Sequence, residues 1–161
     1  MMQRSNTMLT IYGYAPELNM SHRQDETQLR IEAAKAFNKA YEHGKLVQLL
    51  STLFRKNNQL QPLSTQPVDS RCNAAHIVSV PIRQIKGSLG RTTDFDAGFH
   101  PLSEACRSRW VSILTAILQN IPMPAVELMQ VGPAYYVVDG HHRISVAKSL
   151  GQQAIDAQII N

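Results

Sequence analysis

An apolar run, Tyr135-Tyr136-Val137-Val138, stops abruptly at Asp139-Gly140-His141-His142-Arg143, and a helical pattern takes over from Ile144 to Leu150. A strand must therefore turn into a helix within a few residues. An acid, a glycine, two imidazoles and a guanidinium add little to an apolar core, but they suit the binding of phosphate. The start of a helix presents N–H groups that the helix itself does not use, together with a partial positive charge, and such a place attracts anions.

The rest of the chain supplies the setting. From about Gln24 apolar residues recur at helical spacing through Leu29, Ala33, Ala36, Phe37, Ala40 and Tyr41. Gly44 reads as a C-cap, and Leu46, Val47, Leu50, Leu53 and Phe54 read as the buried stripe of a second helix. Residues 1–21 read as a loose N-terminus, 22–58 as a helical pair, 59–74 as a linker and 75–161 as one α/β domain. Within that domain the expected order begins with a strand at His76–Ile82 and a polar loop from Lys86 to Pro101. A helix then runs from a Ser103 cap to about Asn120, with Trp110 in its buried stripe. A hairpin of Val126–Val131 and Tyr135–Asp139 comes next, then a helix from His142 to Leu150 ended by Gly151, and a last strand at Ile155–Ile160.

At 161 residues, 43% hydrophobic and 17% charged, the chain reads as an ordinary globular protein. A net charge of +4 leans mildly toward nucleotides or nucleic acid. Cys72 and Cys106 have no metal-ligand spacing and read as reduced thiols, and no stretch is apolar enough for a signal peptide or a membrane span. The expected compartment is the cytoplasm.

In the turn, Asp139 is a candidate for holding a metal ion or positioning a hydroxyl. Gly140 allows a positive φ or a close approach of backbone. His141 and His142 can donate hydrogen bonds or act as a general base near neutral pH, and the planar fork of Arg143 suits phosphate oxygens. The plainer reading is a charged turn that only caps its helix. Magnesium carried in with a nucleotide fits the carboxylate better than a transition metal on adjacent histidines, whose side chains diverge.

The run Tyr135-Tyr136-Val137-Val138-Asp139-Gly140-His141-His142-Arg143-Ile144-Ser145-Val146-Ala147, with Gly151 and a closing strand, resembles the ParB/sulfiredoxin family. The resemblance extends back through Val80-Pro81-Ile82 and Pro124-Ala125-Val126-Glu127 and covers about residues 75–160. It implies an α/β (α+β) domain with a small mixed sheet, preceded here by the helical pair. It also implies that the turn cradles the phosphates of a nucleotide such as ATP, ADP or CTP, with Mg2+. Sulfiredoxins carry a cysteine where this chain has His141, so sulfinic acid reduction is not expected. Partition proteins usually show Gly-Glu-Arg-Arg and continue into a DNA-reading helix-turn-helix, which the residues after Gly151 do not provide.

The spelling Asp-Gly-His-His-Arg is similar to the turn of free-serine kinases of this fold. In those enzymes a glutamate from the loop after the first strand activates the acceptor hydroxyl. Here that loop offers Asp94 and Asp96 instead, and Arg91 as a phosphate contact by analogy with the loop arginine of relatives. The resemblance thus implies hydrolysis, or transfer to a small hydroxyl-bearing acceptor. The alternatives are a DNA-binding module of bacterial plasmid or chromosome maintenance, and a nuclease. For DNA contact, the helical pair around Gly44 has the spacing of a helix-turn-helix flanked by Lys39, Lys45, Arg55 and Lys56, although a plain helical hairpin fits it as well.

Overall fold

The computed structural model describes residues 26–54, 58–62, 76–90 and 93–160. Expectations placed on residues 1–21, on most of 59–74 including Cys72, and on Arg91 lie outside the described residues.

One continuous helix, α1 (Glu26–Leu53), replaces the expected pair. Gly44 is buried within it and neither caps it nor turns it. A glycine inside a helix costs about 1 kcal/mol against alanine, and its reason here is steric. A Cβ on Gly44 would stand 2.8 Å from the Pro101 carbonyl oxygen and 3.0 Å from the His100 Cβ, so the missing side chain lets α1 lie against that loop. With no turn at Gly44, the helix-turn-helix and hairpin readings both fall. The expected stripe of the first half is confirmed, since Leu29, Ala33 and Phe37 are buried. That of the second half is not. Among the described residues, Leu46, Leu49, Leu53 and Phe54 are all more than half exposed.

Strands β1 (Gln61–Pro62), β2 (Ile77–Pro81), β3 (Ile85–Ser88), β4 (Val126–Val131), β5 (Ala134–Asp139) and β6 (Ala154–Ile160) form a mixed sheet in the order β1-β3-β5-β4-β6-β2. Parallel pairs join β1 to β3, β3 to β5 and β4 to β6. Antiparallel pairs join β4 to β5 and β2 to β6. The fold is therefore α/β with a mixed sheet, and the β4–β5 hairpin lies where the sequence pattern puts it. Two strands differ from expectation: β1 falls in the stretch read as linker, and β3 in the stretch read as polar loop. Both are very short, and β3 contains a glycine and a lysine, so local propensity gives little sign of it. Sheet pairing on both sides makes it a strand.

Helix α2 (Arg107–Leu118) follows a 3-10 turn at Glu104–Cys106, whose Ala105 N–H donates to Ser103 Oγ at 3.2 Å. Helix α3 (His141–Ser149) begins one residue earlier than the pattern suggests. Val80, Val126, Leu128, Val137 and Ala157 of the sheet pack with Trp110 and Leu114 of α2 and Ile144 and Val146 of α3. Phe37 of α1 joins the same core, edge-on to Trp110 with ring centroids 5.6 Å apart. Each of these two rings is fully buried, a contribution of roughly 3 kcal/mol apiece. No helix of the described residues is long and apolar enough to cross a membrane.

Candidate functional site

Strands β3 and β5 run parallel and side by side, so their carboxyl ends, at Ser88 and Asp139, open onto the same edge of the sheet. In open α/β sheets that edge is where ligands collect. The hairpin register shifts just before the turn: Asp139 pairs with Glu127 but Val137 with Leu128, leaving Val138 as the extra residue. A bulge of this kind bends its strand and re-aims the residues beyond it.

Gly140 then takes φ 105°, ψ 18° and starts α3. The conformation is left-handed, and the space is also closed. A Cβ there would sit 2.5 Å from Val126 Cγ1 and 2.8 Å from Val126 Cβ. Only glycine satisfies both demands. Because the cap is a glycine, it brings no side-chain acceptor to the first turn of α3, and the helix start is framed by backbone.

The four polar side chains of the turn each have a partner in the protein. Arg143 Nη1 donates to the carbonyl oxygens of Pro124 (2.7 Å) and Ala125 (3.0 Å), and Nη2 donates to Asp139 Oδ2 at 2.6 Å. The guanidinium, expected to face phosphate, straps the turn to the segment entering β4; its side chain is 14% exposed, against 61% for Asp139. Asp139 is thus the open group of the turn.

His141 and His142 are both buried. His141 Nε2 lies 2.5 Å from Ser88 Oγ, which also lies 3.3 Å from the Val137 carbonyl oxygen and accepts from Gly90 N–H at 3.0 Å. A serine hydroxyl has one proton to give and two lone pairs to offer. All three contacts are satisfied together when Ser88 donates to Val137 and accepts from Gly90 and from a protonated Nε2 of His141. In either tautomer the short contact anchors the His141 ring to the sheet. Ser88 ties the ends of β3 and β5 together through this ring. Sequence reasoning missed it, because nothing local distinguishes a serine after a glycine in a polar stretch.

Phe95, fully buried, covers the other side of the pair. Its ring stacks on His141 at 6.2 Å and stands edge-on to His142 at 5.1 Å. The loop expected to supply a base therefore meets the turn through a phenyl ring. Asp96 is turned elsewhere. It accepts from His100 N–H (2.8 Å) and from Asn58 Nδ2 (3.3 Å), and pairs with His100 Nδ1 at 3.0 Å. Burial by itself would raise the Asp96 carboxyl, but the His100 and Asn58 hydrogen bonds and the His100 charge together hold it below the ordinary carboxylate value. Asp96 ties the loop to His100 and Asn58 and does not face the turn's histidines, which Phe95 covers. His100, which the sequence leaves without a role, is its partner.

Asp94 is half-buried, and its carbonyl accepts from Leu102 N–H at 2.9 Å. Trp110 is core, as its helical stripe implies, and its Nε1 donates to Ser145 Oγ at 2.9 Å, fastening α2 to α3. Cys106 is buried, with its Sγ 3.9 Å from the Asp94 carbonyl oxygen. Among the described residues no group of three or more His, Cys, Asp or Glu side chains could hold a metal ion.

No family model and no curated protein matches this chain. Among solved structures it is similar to sulfiredoxin from Arabidopsis thaliana, at 24% identity and a TM-score of 0.40, over 52% of this chain and 83% of that one.

Proposed function

We propose that the chain binds a nucleotide through its phosphates at the Gly140–Arg143 turn. The observation that carries this reading is the glycine-capped start of α3 at the shared carboxyl edge of two parallel strands, where no other residue fits position 140. Backbone N–H groups and the helix dipole would receive the phosphate oxygens, and Asp139 would hold Mg2+ against them. ATP, ADP and CTP are the candidate nucleotides.

Hydrolysis, or transfer to a small hydroxyl-bearing acceptor, is the reaction such a site would support, because phosphoryl transfer depends mainly on positioning and electrostatics. In this reading His141 and His142 act as rigid walls, with Ser88 and Phe95 fixing their rings. Arg143 preserves the shape of the turn. The acids left to accept a proton from an acceptor or a water are Asp139 and Asp94.

Calorimetry with each nucleotide, with and without magnesium, tests the reading on wild type and on Asp139→Asn. Saturable binding that weakens without magnesium, and loses that magnesium dependence in Asp139→Asn, is the expected outcome. Absence of binding by all three nucleotides overturns the proposal. Where binding is seen, release of inorganic phosphate or phosphorylation of serine-like acceptors separates an enzyme from a nucleotide-gated binding module.

A further inference from the structure

A concavity opens at the end of α3 opposite the turn. Lys148 stands in the last turn of that helix, roughly 10 Å along its axis from His141 at 1.5 Å per residue. Beside it lies a crevice of about 330 Å³ whose lining includes Arg83, Lys86, Lys148, Gln59 and Gln61 and, among the described residues, no carboxylate side chain. The three cations come from three elements: the 3-10 turn after β2, the strand β3 and the helix α3. The fold brings them together; the sequence does not.

Lys86 is held there by a fault in the sheet. Ile85 pairs with Tyr135 and Gly87 with Tyr136, so Lys86 is left opposite no residue of β5. It is exposed between two buried neighbours. None of the three cations has a salt-bridge partner among the described residues. The Lys148 ammonium lies 5.6 Å from the Phe99 ring centroid. Its burial lowers its pKa; the charge of Asp96 acts against that, and the charge of Lys86 adds to it. Asp96 itself already serves His100 and Asn58.

Like charges gathered around a crevice, one of them partly desolvated, form an arrangement that a bound anion relieves. The geometry points to a second anion site, independent of the turn, in which Arg83, Lys86 and Lys148 bind a small polyanion of phosphate or carboxylate chemistry and the amides of Gln59 and Gln61 complete its hydrogen bonds. The volume is at the small end of ligand pockets, which suits a compact metabolite or a phosphate group and not a macromolecule.

The test is a two-dimensional amide NMR titration of the full chain at constant ionic strength, with pyrophosphate in one arm and citrate in the other. Saturable shifts centred on residues 82–87 and 147–149 are expected in at least one arm, and the arm with the tighter Kd names the chemistry. The double variant Arg83→Gln, Lys148→Gln is expected to weaken that Kd by about tenfold or more. Lys35→Gln with Lys39→Gln, which removes the same charge from the exposed face of α1, is expected to leave it unchanged. The unshifted part of each spectrum reports that the variant is folded. Shifts that never saturate, equal weakening in the α1 variant, or shifts confined to residues 139–143 would each overturn the assignment. The last of these outcomes would still leave the phosphate reading of the turn standing.

Discussion

The two ends of α3 are built on opposite plans. At the N-terminal end most polar groups are consumed, with Asp139 left exposed: Arg143 makes three hydrogen bonds to its own protein, and His141 is seated on Ser88. At the C-terminal end Lys148 faces a crevice among other cations, with no salt-bridge partner among the described residues. Each end is also marked by a glycine of positive φ. Gly140 is wedged against Val126, whereas a Cβ on Gly151, at φ 73°, would meet nothing within 4 Å. The contrast teaches that charge near a helix end does not by itself identify a ligand contact. The turn that looked richest in side-chain chemistry presents mainly shaped backbone, and the quieter end presents unneutralised charge.

The sharpest way to break that contrast is at the two glycines. Gly140→Ala combines a left-handed backbone with a clash in the core and is expected to destabilise by on the order of 3 kcal/mol in urea unfolding. Gly151→Ala carries the backbone strain alone, about 1 kcal/mol. Equal costs would mean that the packing around Gly140 is soft.

Arg143→Ala comes next, at about 2 kcal/mol, because two carbonyls and a carboxylate lose a charge-assisted donor. Arg143→Lys is expected to recover only part of this, since an ammonium lacks the fork. A neutral Arg143→Ala variant would return the guanidinium to the phosphate role that the sequence suggests.

Asp96→Asn is expected to cost about 1 kcal/mol at neutral pH, with a distinctive pH signature. The folded carboxyl lies below its ordinary 3.8. The stability it contributes is thus fully present above that value and is lost as pH falls through the folded pKa. Acid unfolding monitored by circular dichroism should therefore be flatter below pH 4 in the variant.

The smallest effect is expected at Lys148→Met. A lysine whose pKa is lowered on folding costs stability wherever it is charged, and the cost fades only as pH rises through the folded value. At pH 7 the variant should match or slightly exceed wild type, and that margin should shrink as the pH approaches 10. A clear loss of stability at pH 7 would show Lys148 to be a structural cation held by Phe99.

Much of the α/β half was legible because periodicity and punctuation agree there. The Gly132-Pro133 hairpin, the Ser103 start, the Trp110 stripe and the Gly151 stop each have a local cause, and the strand–turn–helix at Asp139–Arg143 was plain. Gly44 misled for a definable reason. A glycine after an amphipathic helix signals a C-cap when nothing else is known, but here its backbone lies against Pro101. Asp96 misled in the same way: two acids in a polar loop suggest a solvated or catalytic group, and only the folded chain brings Asn58 and His100 to one of them.

By itself the sequence determined that a strand turns into a helix at Gly140 and which stretches of the second half form its main strands and helices. Those features depend on neighbours a few residues apart, whose propensities and spacing act within the local chain. The tertiary structure alone decided which groups of that turn are engaged, that Ser88 underlies His141, and that Arg83, Lys86 and Lys148 share a crevice. Hydrogen bonds and desolvation act over a few ångströms in space, and here they join residues tens of positions apart, as Ser88 and His141 are. No local pattern records such a meeting, because it exists only once the sheet has paired.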